Sequence, residues 1–443
     1  MNRYQNDVGV LVPNVMLPAK GADFEKWAVV ACDQYTSQPE YWEKARSIAG
    51  SAPTTLDLFL PEAYLGKPDE AQRIEWIRNN MKRYLETGIL EEKPQGFVLV
   101  KRTVAGKTRH GLVMALDLEQ YDYRKGSTTL IRATEGTIES RIPPRLRIRE
   151  GAPLELPHIL VLIDDPENTV VEPLLQQTDG MEQLYDTELM LDGGHIEGWL
   201  VSDENKIQGV LGALAKLTDE RAFREKYGDH APLLFAMGDG NHSFATAKAN
   251  WEKIKATLPA EQKAAHPARY ALVEVENVHD AGIVFEPIHR VVFGVDGEKG
   301  VERLKGYLAA QNGGAEVRFF ENDGPTAVLA GPNTHVIPFF FRGKQGAFIV
   351  SGPSQQLTVG TLQNAIDALL RDMPGTEVDY IHGEDVVRTL AEKEETIGFL
   401  LPAMEKSQLF PTVVYDGALP RKTFSMGEAN EKRYYLECRR IDG

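Results

Sequence analysis

An apolar run, Leu233-Leu234-Phe235-Ala236-Met237, meets Gly238-Asp239-Gly240-Asn241-His242-Ser243 and then the helix-like Phe244-Ala245-Thr246-Ala247-Lys248-Ala249-Asn250-Trp251. This order predicts a buried strand, a sharp turn and a helix whose first turn carries an acid, an amide, an imidazole and a hydroxyl. The first turn of a helix presents backbone N–H groups without intrahelical partners and a partial positive charge, so the element suits a phosphate or carboxylate ligand. Gly238 and Gly240 permit positive φ or close backbone approach on either side of Asp239. Asp239 is then a candidate general base or metal ligand, and His242 a candidate anion donor or proton exchanger. The alternative is structural: an Asx turn at Asp239 and Asn241, a helix cap from Ser243, and a half-buried His242.

At 443 residues the chain exceeds the size at which one core usually stops growing, so two domains are expected. A formal net charge of −16 argues against binding nucleic acid, because a polyanion requires a basic footprint. An anionic small-molecule partner must therefore meet a local basic pocket. The first residues show no charged leader with an apolar core, and runs such as Val336 to Phe341 are far shorter than a bilayer crossing, so no membrane association is expected. Two cysteines, Cys32 and Cys438, offer no disulfide framework or CxxC pair, which fits a reducing cytoplasm. The oligomeric state is left open.

Periodicity predicts a helix over 71–90, a hairpin from 97–101 and 110–118, a buried strand over 156–163, a helix over 167–177, a strand over 194–201 and a helix over 206–217. The polar, proline-bracketed segment 258–267 reads as a boundary between a domain at 1–260 and another at 268–443. Beyond it come strands over 270–275 and 283–292, a helix over 300–311, a hairpin from 334–341 and 346–351, and helices over 361–373 and 383–393. The mixture indicates an α+β, or mixed α/β, fold in two subdomains.

Three further clusters carry charge. Between Arg132 and Arg149 stand five arginines and two glutamates, a basic stretch in an acidic chain. The alternation of Arg145, Arg147 and Arg149 with Leu146 and Ile148 predicts a strand with a solvated face. Arg132, Glu135, Thr137 and Arg141 instead surround a glycine-containing turn, and arginine forks suit phosphate or carboxylate. In Phe285-Glu286-Pro287-Ile288-His289-Arg290, the charged groups interrupting an apolar strand either pair with one another or face a ligand. Pro420-Arg421-Lys422-Thr423 is a turn with two cations that could take a phosphate or simply be solvated. No GxxxxGK[ST], GxGxxG, HExxH or GxSxG pattern occurs, which removes support for P-loop, Rossmann, zincin and α/β-hydrolase chemistry.

Together these clusters resemble the bacterial family called domain of unknown function 1015, whose members show an Asp-Gly-His-His-Arg turn, a His-Glu-x-Thr element, a Pro-Thr-His-Arg element and a late Met-Pro-x-Lys-Ser-Thr-x-Phe element. The counterparts here are Asp239-Gly240-Asn241-His242-Ser243, Ala133-Thr134-Glu135-Gly136-Thr137, Pro287-Ile288-His289-Arg290 and Leu419-Pro420-Arg421-Lys422-Thr423-Phe424. Asn241 replaces the first His of that turn, Ser243 its Arg, and Ala133 the His of the second element. The turn in its strand-turn-helix setting also resembles the phosphate-binding helix start of the ParB and sulfiredoxin superfamily, which includes free-serine kinases. The resemblance implies a phosphotransferase acting on a small hydroxylated metabolite such as serine, with pyrophosphate or a nucleotide as donor and Mg²⁺ as its counter-ion. In that reading Asp239 or Glu135 is the base. His242 and the helix start, with Gly240, Asn241 and Ser243, hold the transferred phosphate. Arg132, Thr137, Arg141, His289, Arg290, Lys422 and Thr423 bind the anion. A metabolite-binding regulator and a phosphatase are the alternatives.

Overall fold

A computed structural model describes residues 6–321 and 331–443. The chain forms two compact units, the first comprising residues 1–284 together with 426–443, the second residues 285–425. The division thus falls at Val284 and Phe285 rather than within 258–267. The reason lies in strand Tyr270–Asn277, which runs through the middle of the first unit's sheet, antiparallel to Lys107–Asp117 and parallel to Leu160–Ile163. The proline-bracketed segment is only a surface connection containing the short helix Ala260–Lys263.

The first unit is built on a mixed sheet. Its order is Glu182–Leu189, Gly194–Val201, Phe97–Val104, Lys107–Asp117, Tyr270–Asn277, Leu160–Ile163, Phe235–Asp239, Ile131–Arg132, Tyr121–Asp122, with Val10–Leu11 also on Lys107–Asp117. Alternate residues of a strand point to opposite faces, and here both faces are covered. Phe97, Leu99, Leu112, Met114, Val273 and Val275 join one apolar core with Phe244 and Trp251 of helix Asn241–Thr257 and Ile207 and Leu214 of helix Glu204–Leu217. Val98, Val100, Val113, Ala115 and Leu272 join a second core with Trp27, Trp42 and Tyr434. The unbroken apolarity of these strands follows from burial on both sides.

The second unit carries an antiparallel sheet of order Gly314–Phe320, Lys344–Ser351, Thr334–Phe341, Thr396–Phe399, His289–Phe293, Glu377–Ile381. Helices Gly297–Gln311, Thr358–Asp372 and Glu384–Ala391 complete it. Among the described residues no helix is long and apolar enough to cross a membrane.

Local expectations needed four corrections. Residues 145–149 are not a strand but the end of helix Ile142–Arg149. Pro143 and Pro144 sit in its first turn, where a missing N–H costs nothing, and Ile142 and Leu146 bury one face four residues apart. The run 156–163 is strand only from Leu160, because Pro157 has no N–H to pair. The helix expected over 167–177 shrinks to Glu172–Leu175, since the Asp165 carboxylate accepts the N–H groups of Thr169 at 2.6 Å and Val170 at 2.9 Å and holds a turn there. The strand over 283–292 divides at Ile288, after Pro287.

Candidate active site at an open helix start

Strand Phe235–Asp239 ends on Asp239, Gly240 turns the chain with φ 78°, and helix Asn241–Thr257 begins immediately. Both flanking glycines are dictated by space. A Cβ at Gly238 would lie 2.7 Å from Met426 Sδ, and one at Gly240 3.1 Å from Ile159 Cα, in addition to the left-handed backbone there. No side chain caps the helix, and the positive end of its dipole lies next to Asp239. The helix is anchored below this turn by Phe244 and Trp251, both buried, whose truncation to alanine would cost about 3–5 kcal/mol each.

Around this start the first unit assembles a connected set of polar groups. Lys432 Nζ lies 3.2 Å from Asp239 Oδ2, and Asp239 Oδ1 accepts the Gly240 N–H at 2.8 Å. Burial alone would raise the Asp239 carboxyl, but the charge of Lys432, the neighbouring His158 and the Gly240 N–H overcome it and hold the group below its ordinary value, ionised at neutral pH. Ser243 Oγ is 3.1 Å from His158 Nε2, and His158 Nδ1 is 2.8 Å from the Tyr435 hydroxyl. Tyr435 in turn accepts the Cys32 N–H at 3.2 Å, and Asp33 Oδ1 is 3.9 Å from His158 Nε2. His158 and Tyr435 are buried, while Asp239, Asn241, His242 and Ser243 are half-buried. The Asn241 Oδ1 is buried and accepts no hydrogen bond, which leaves an open acceptor at the helix start.

The turn that follows Arg132 reaches the same place. His242 Nε2 accepts the backbone N–H of Ile138 at 3.2 Å, and Thr134 Oγ1 donates to Met237 O at 2.6 Å. Glu135 and Thr137 are half-buried in this connection, and Arg141 is exposed at its end. Arg132 is turned elsewhere: its guanidinium donates to Thr129 O, Ala231 O and Pro232 O at 2.8–3.0 Å, and burial pulls it down to about 10. It braces backbone rather than presenting a fork to an anion. The three arginines of helix Ile142–Arg149 are likewise engaged, Arg145 with Glu62, Arg147 with Glu70 at 2.7 Å, and Arg149 with Glu155. The positive stretch of the sequence is therefore largely neutralised in the fold.

His289, Arg290, Lys422 and Thr423 belong to the second unit. Arg290 is fully buried and donates to Gln363 Oε1, Ile288 O, Arg421 O and Lys422 O at 2.6–3.0 Å, with its guanidinium 4.7 Å from the centre of the Tyr380 ring. It ties down the basic turn instead of offering itself to a ligand. His289 Nδ1 accepts the Leu401 N–H at 3.1 Å, and burial lowers the imidazole. Thr423 Oγ1 closes the turn on Pro420 O at 2.6 Å, and Lys422, at φ 54°, is exposed.

Sequence reasoning passed over His158, Lys432 and Tyr435. His158 lay inside what read as an apolar strand, where Pro157 was the signal that the strand had not yet begun. Lys432 and Tyr435 reach the site only because residues 426–443 fold back into the first unit.

The architecture defines a mixed α/β protein with a strand-turn-helix element, open at its helix start, in its first unit. The chain belongs to the DUF1015 family, described as a protein of unknown function, whose model matches residues 16–371. No curated protein matches it. Among solved structures it is similar to a conserved hypothetical protein from Pyrococcus furiosus, at 13% identity over 73% of this chain and 90% of that one with a TM-score of 0.34. It is also similar to a free serine kinase in complex with AMP, at 12% identity over 74% and 91% with a TM-score of 0.36. A third is SbnI with C-terminal truncation from Staphylococcus aureus, at 10% identity over 71% and 81% with a TM-score of 0.33. These likenesses are remote and assign no residue of this chain.

Proposed function

We propose that the protein is a phosphotransferase that moves a phosphoryl group from pyrophosphate or a nucleotide to the hydroxyl of a small metabolite, a free amino acid such as serine being the best fit. The observation that carries this reading is an ionised carboxylate, Asp239, held by Lys432 beside a helix start with no side-chain cap. Phosphoryl transfer demands positioning and charge neutralisation more than covalent chemistry. The first N–H groups of the helix and Lys432 receive phosphate oxygens. Asp239 aligns the acceptor hydroxyl and takes its proton as the phosphorus–oxygen bond forms. The open Asn241 Oδ1 suits a donor on the acceptor, its ammonium or its hydroxyl.

Among the described residues no group of three or more His, Cys, Asp or Glu side chains is placed to hold a metal. That composition suits Mg²⁺ that travels with the donor's phosphate oxygens, with Asp239 as the carboxylate available to it, and the ion would supply charge neutralisation. The test is phosphorus NMR of protein, Mg²⁺ and L-serine with pyrophosphate, ADP or ATP. A new phosphomonoester is expected, with Asp239→Asn losing most of the rate; no phosphomonoester with any donor refutes the reading.

A further inference from the structure

Ser243 has an unusual use for a hydroxyl in the first turn of a helix. Gly240 holds the N-cap position, so the Ser243 hydroxyl, on the third residue of the helix, does not serve as the cap. Here Oγ lies 3.1 Å from His158 Nε2, and the imidazole is fixed from behind by Tyr435 at 2.8 Å from Nδ1. The Tyr435 hydroxyl also receives the Cys32 N–H. In the tautomer that carries the proton on Nδ1, the phenolic oxygen accepts from Nδ1–H and the Nε2 lone pair faces Ser243. A nucleophile, a base within hydrogen-bond reach and a third group orienting that base make the arrangement of an activated hydroxyl. Its surroundings fit a phosphorus electrophile, because the positive end of the same helix, with no side-chain cap, and Lys432 beside Asp239 favour negative charge.

We infer that Ser243 is a catalytic nucleophile that carries the phosphoryl group between donor and acceptor, a step that rests on the phosphotransferase reading above. Ser243 Oγ attacks the terminal phosphorus of the phosphoanhydride while the bridging oxygen–phosphorus bond breaks. The hydroxyl proton passes to His158 Nε2 and from there to the departing phosphate or nucleoside phosphate. In the second half the acceptor hydroxyl attacks the phosphoryl group on Ser243. Its proton goes to His158 Nε2, which returns it to Oγ as that bond breaks. Atoms and charge balance over the two halves with no further reactant. Tyr435 acts through His158 and is a positioning residue.

A fluorophosphonate ester tests the nucleophile without any assumption about donor or acceptor, since the serine attacks phosphorus and fluoride leaves. Peptide mass spectrometry of the labelled full-length protein should place the adduct on Ser243. Labelling should depend on pH in the wild type and fall by about 10²-fold or more, with that dependence lost, in His158→Gln. Tyr435→Phe, which keeps the ring, should slow labelling less and shift its pH profile. Circular dichroism establishes that each variant is folded. Labelling of Ser243 that is unchanged in a folded His158→Gln, or an unlabelled Ser243 in the wild type, overturns the inference. If serine phosphorylation is seen by NMR while Ser243 neither labels nor carries phosphate after incubation with donor alone, direct transfer stands and the covalent step falls. If Ser243 labels and no phosphomonoester forms, the nucleophile stands and the proposed acceptor falls.

Discussion

Glu276 offers the sharpest test of the charge layer beneath the site's sheet. It lies on strand Tyr270–Asn277 with no solvent exposure, on the same face as Glu274. Arg109 Nε stands 3.1 Å from its Oε1. Burial, helped by Glu274 and Asp280, outweighs that arginine and pushes the carboxyl from its ordinary 4.5 up to about 8. A carboxyl whose folded value is raised contributes stability that is fully present below its unfolded value and is lost as pH rises through the folded one. The loss runs at about 1.4 kcal/mol per pH unit, so between pH 5 and pH 8 this group removes on the order of 4 kcal/mol. Glu276→Gln keeps the shape beside Arg109 and has no proton to lose. The assay is denaturant unfolding followed by tryptophan fluorescence, because all five tryptophans, Trp27, Trp42, Trp76, Trp199 and Trp251, lie in the first unit. The stability of the variant relative to wild type should rise steadily from pH 5 to pH 8.5. A difference constant to within about 0.5 kcal/mol over that range refutes the argument, since one shifted unit alone would exceed it.

Two further perturbations probe the turn itself. Gly240→Ala adds a left-handed backbone penalty of about 1 kcal/mol and a contact 3.1 Å from Ile159 Cα, whereas Gly126→Ala, at φ 80° with nothing within 4 Å, adds the first alone. The same fluorescence assay should show Gly240→Ala the more costly by about 1 kcal/mol, and equal costs refute the packing argument. Lys432→Met and Asp239→Asn, separately and together, form a cycle whose coupling should be about 1–3 kcal/mol at pH 7, the side chain of Asp239 being a quarter exposed. Because Asp239 is held below its ordinary 3.8, that coupling should persist above this value and vanish as pH falls through the lower folded one. Coupling that survives full acidification would show that the pair does not act through charge.

What the sequence makes legible is whatever is local. The strand-turn-helix at 235–257 is marked by an apolar run, two glycines and helical spacing, each a direct consequence of backbone geometry. Both hairpins and the helices at 204–217, 297–311, 358–372 and 384–391 announce themselves in the same way. The helix at 142–149 escaped because five alternating residues satisfy a period of two, while the two prolines that begin it read as a break. The division into units escaped for a different reason. Trp27 Nε1 donates to Leu436 O at 2.9 Å and Met16 bridges Cys438, so the ends of the chain meet in one core, a closure with no local signature.

The same distinction explains why Arg132 and Arg290 read in the sequence as anion ligands and in the fold brace backbone. An arginine in sequence is equally a ligand for phosphate and a brace for carbonyl oxygens, since the fork that fits one fits the other. Arg132 and Arg290 are both buried, and a buried guanidinium must satisfy its donors from whatever lies nearest, here main-chain carbonyls of turns. Their charge is thereby spent on holding loops in place. The positive group left beside Asp239 is a lysine supplied by the returning terminus, and the positive field left is that of the helix itself. Neither offers the fixed bidentate geometry of an arginine fork.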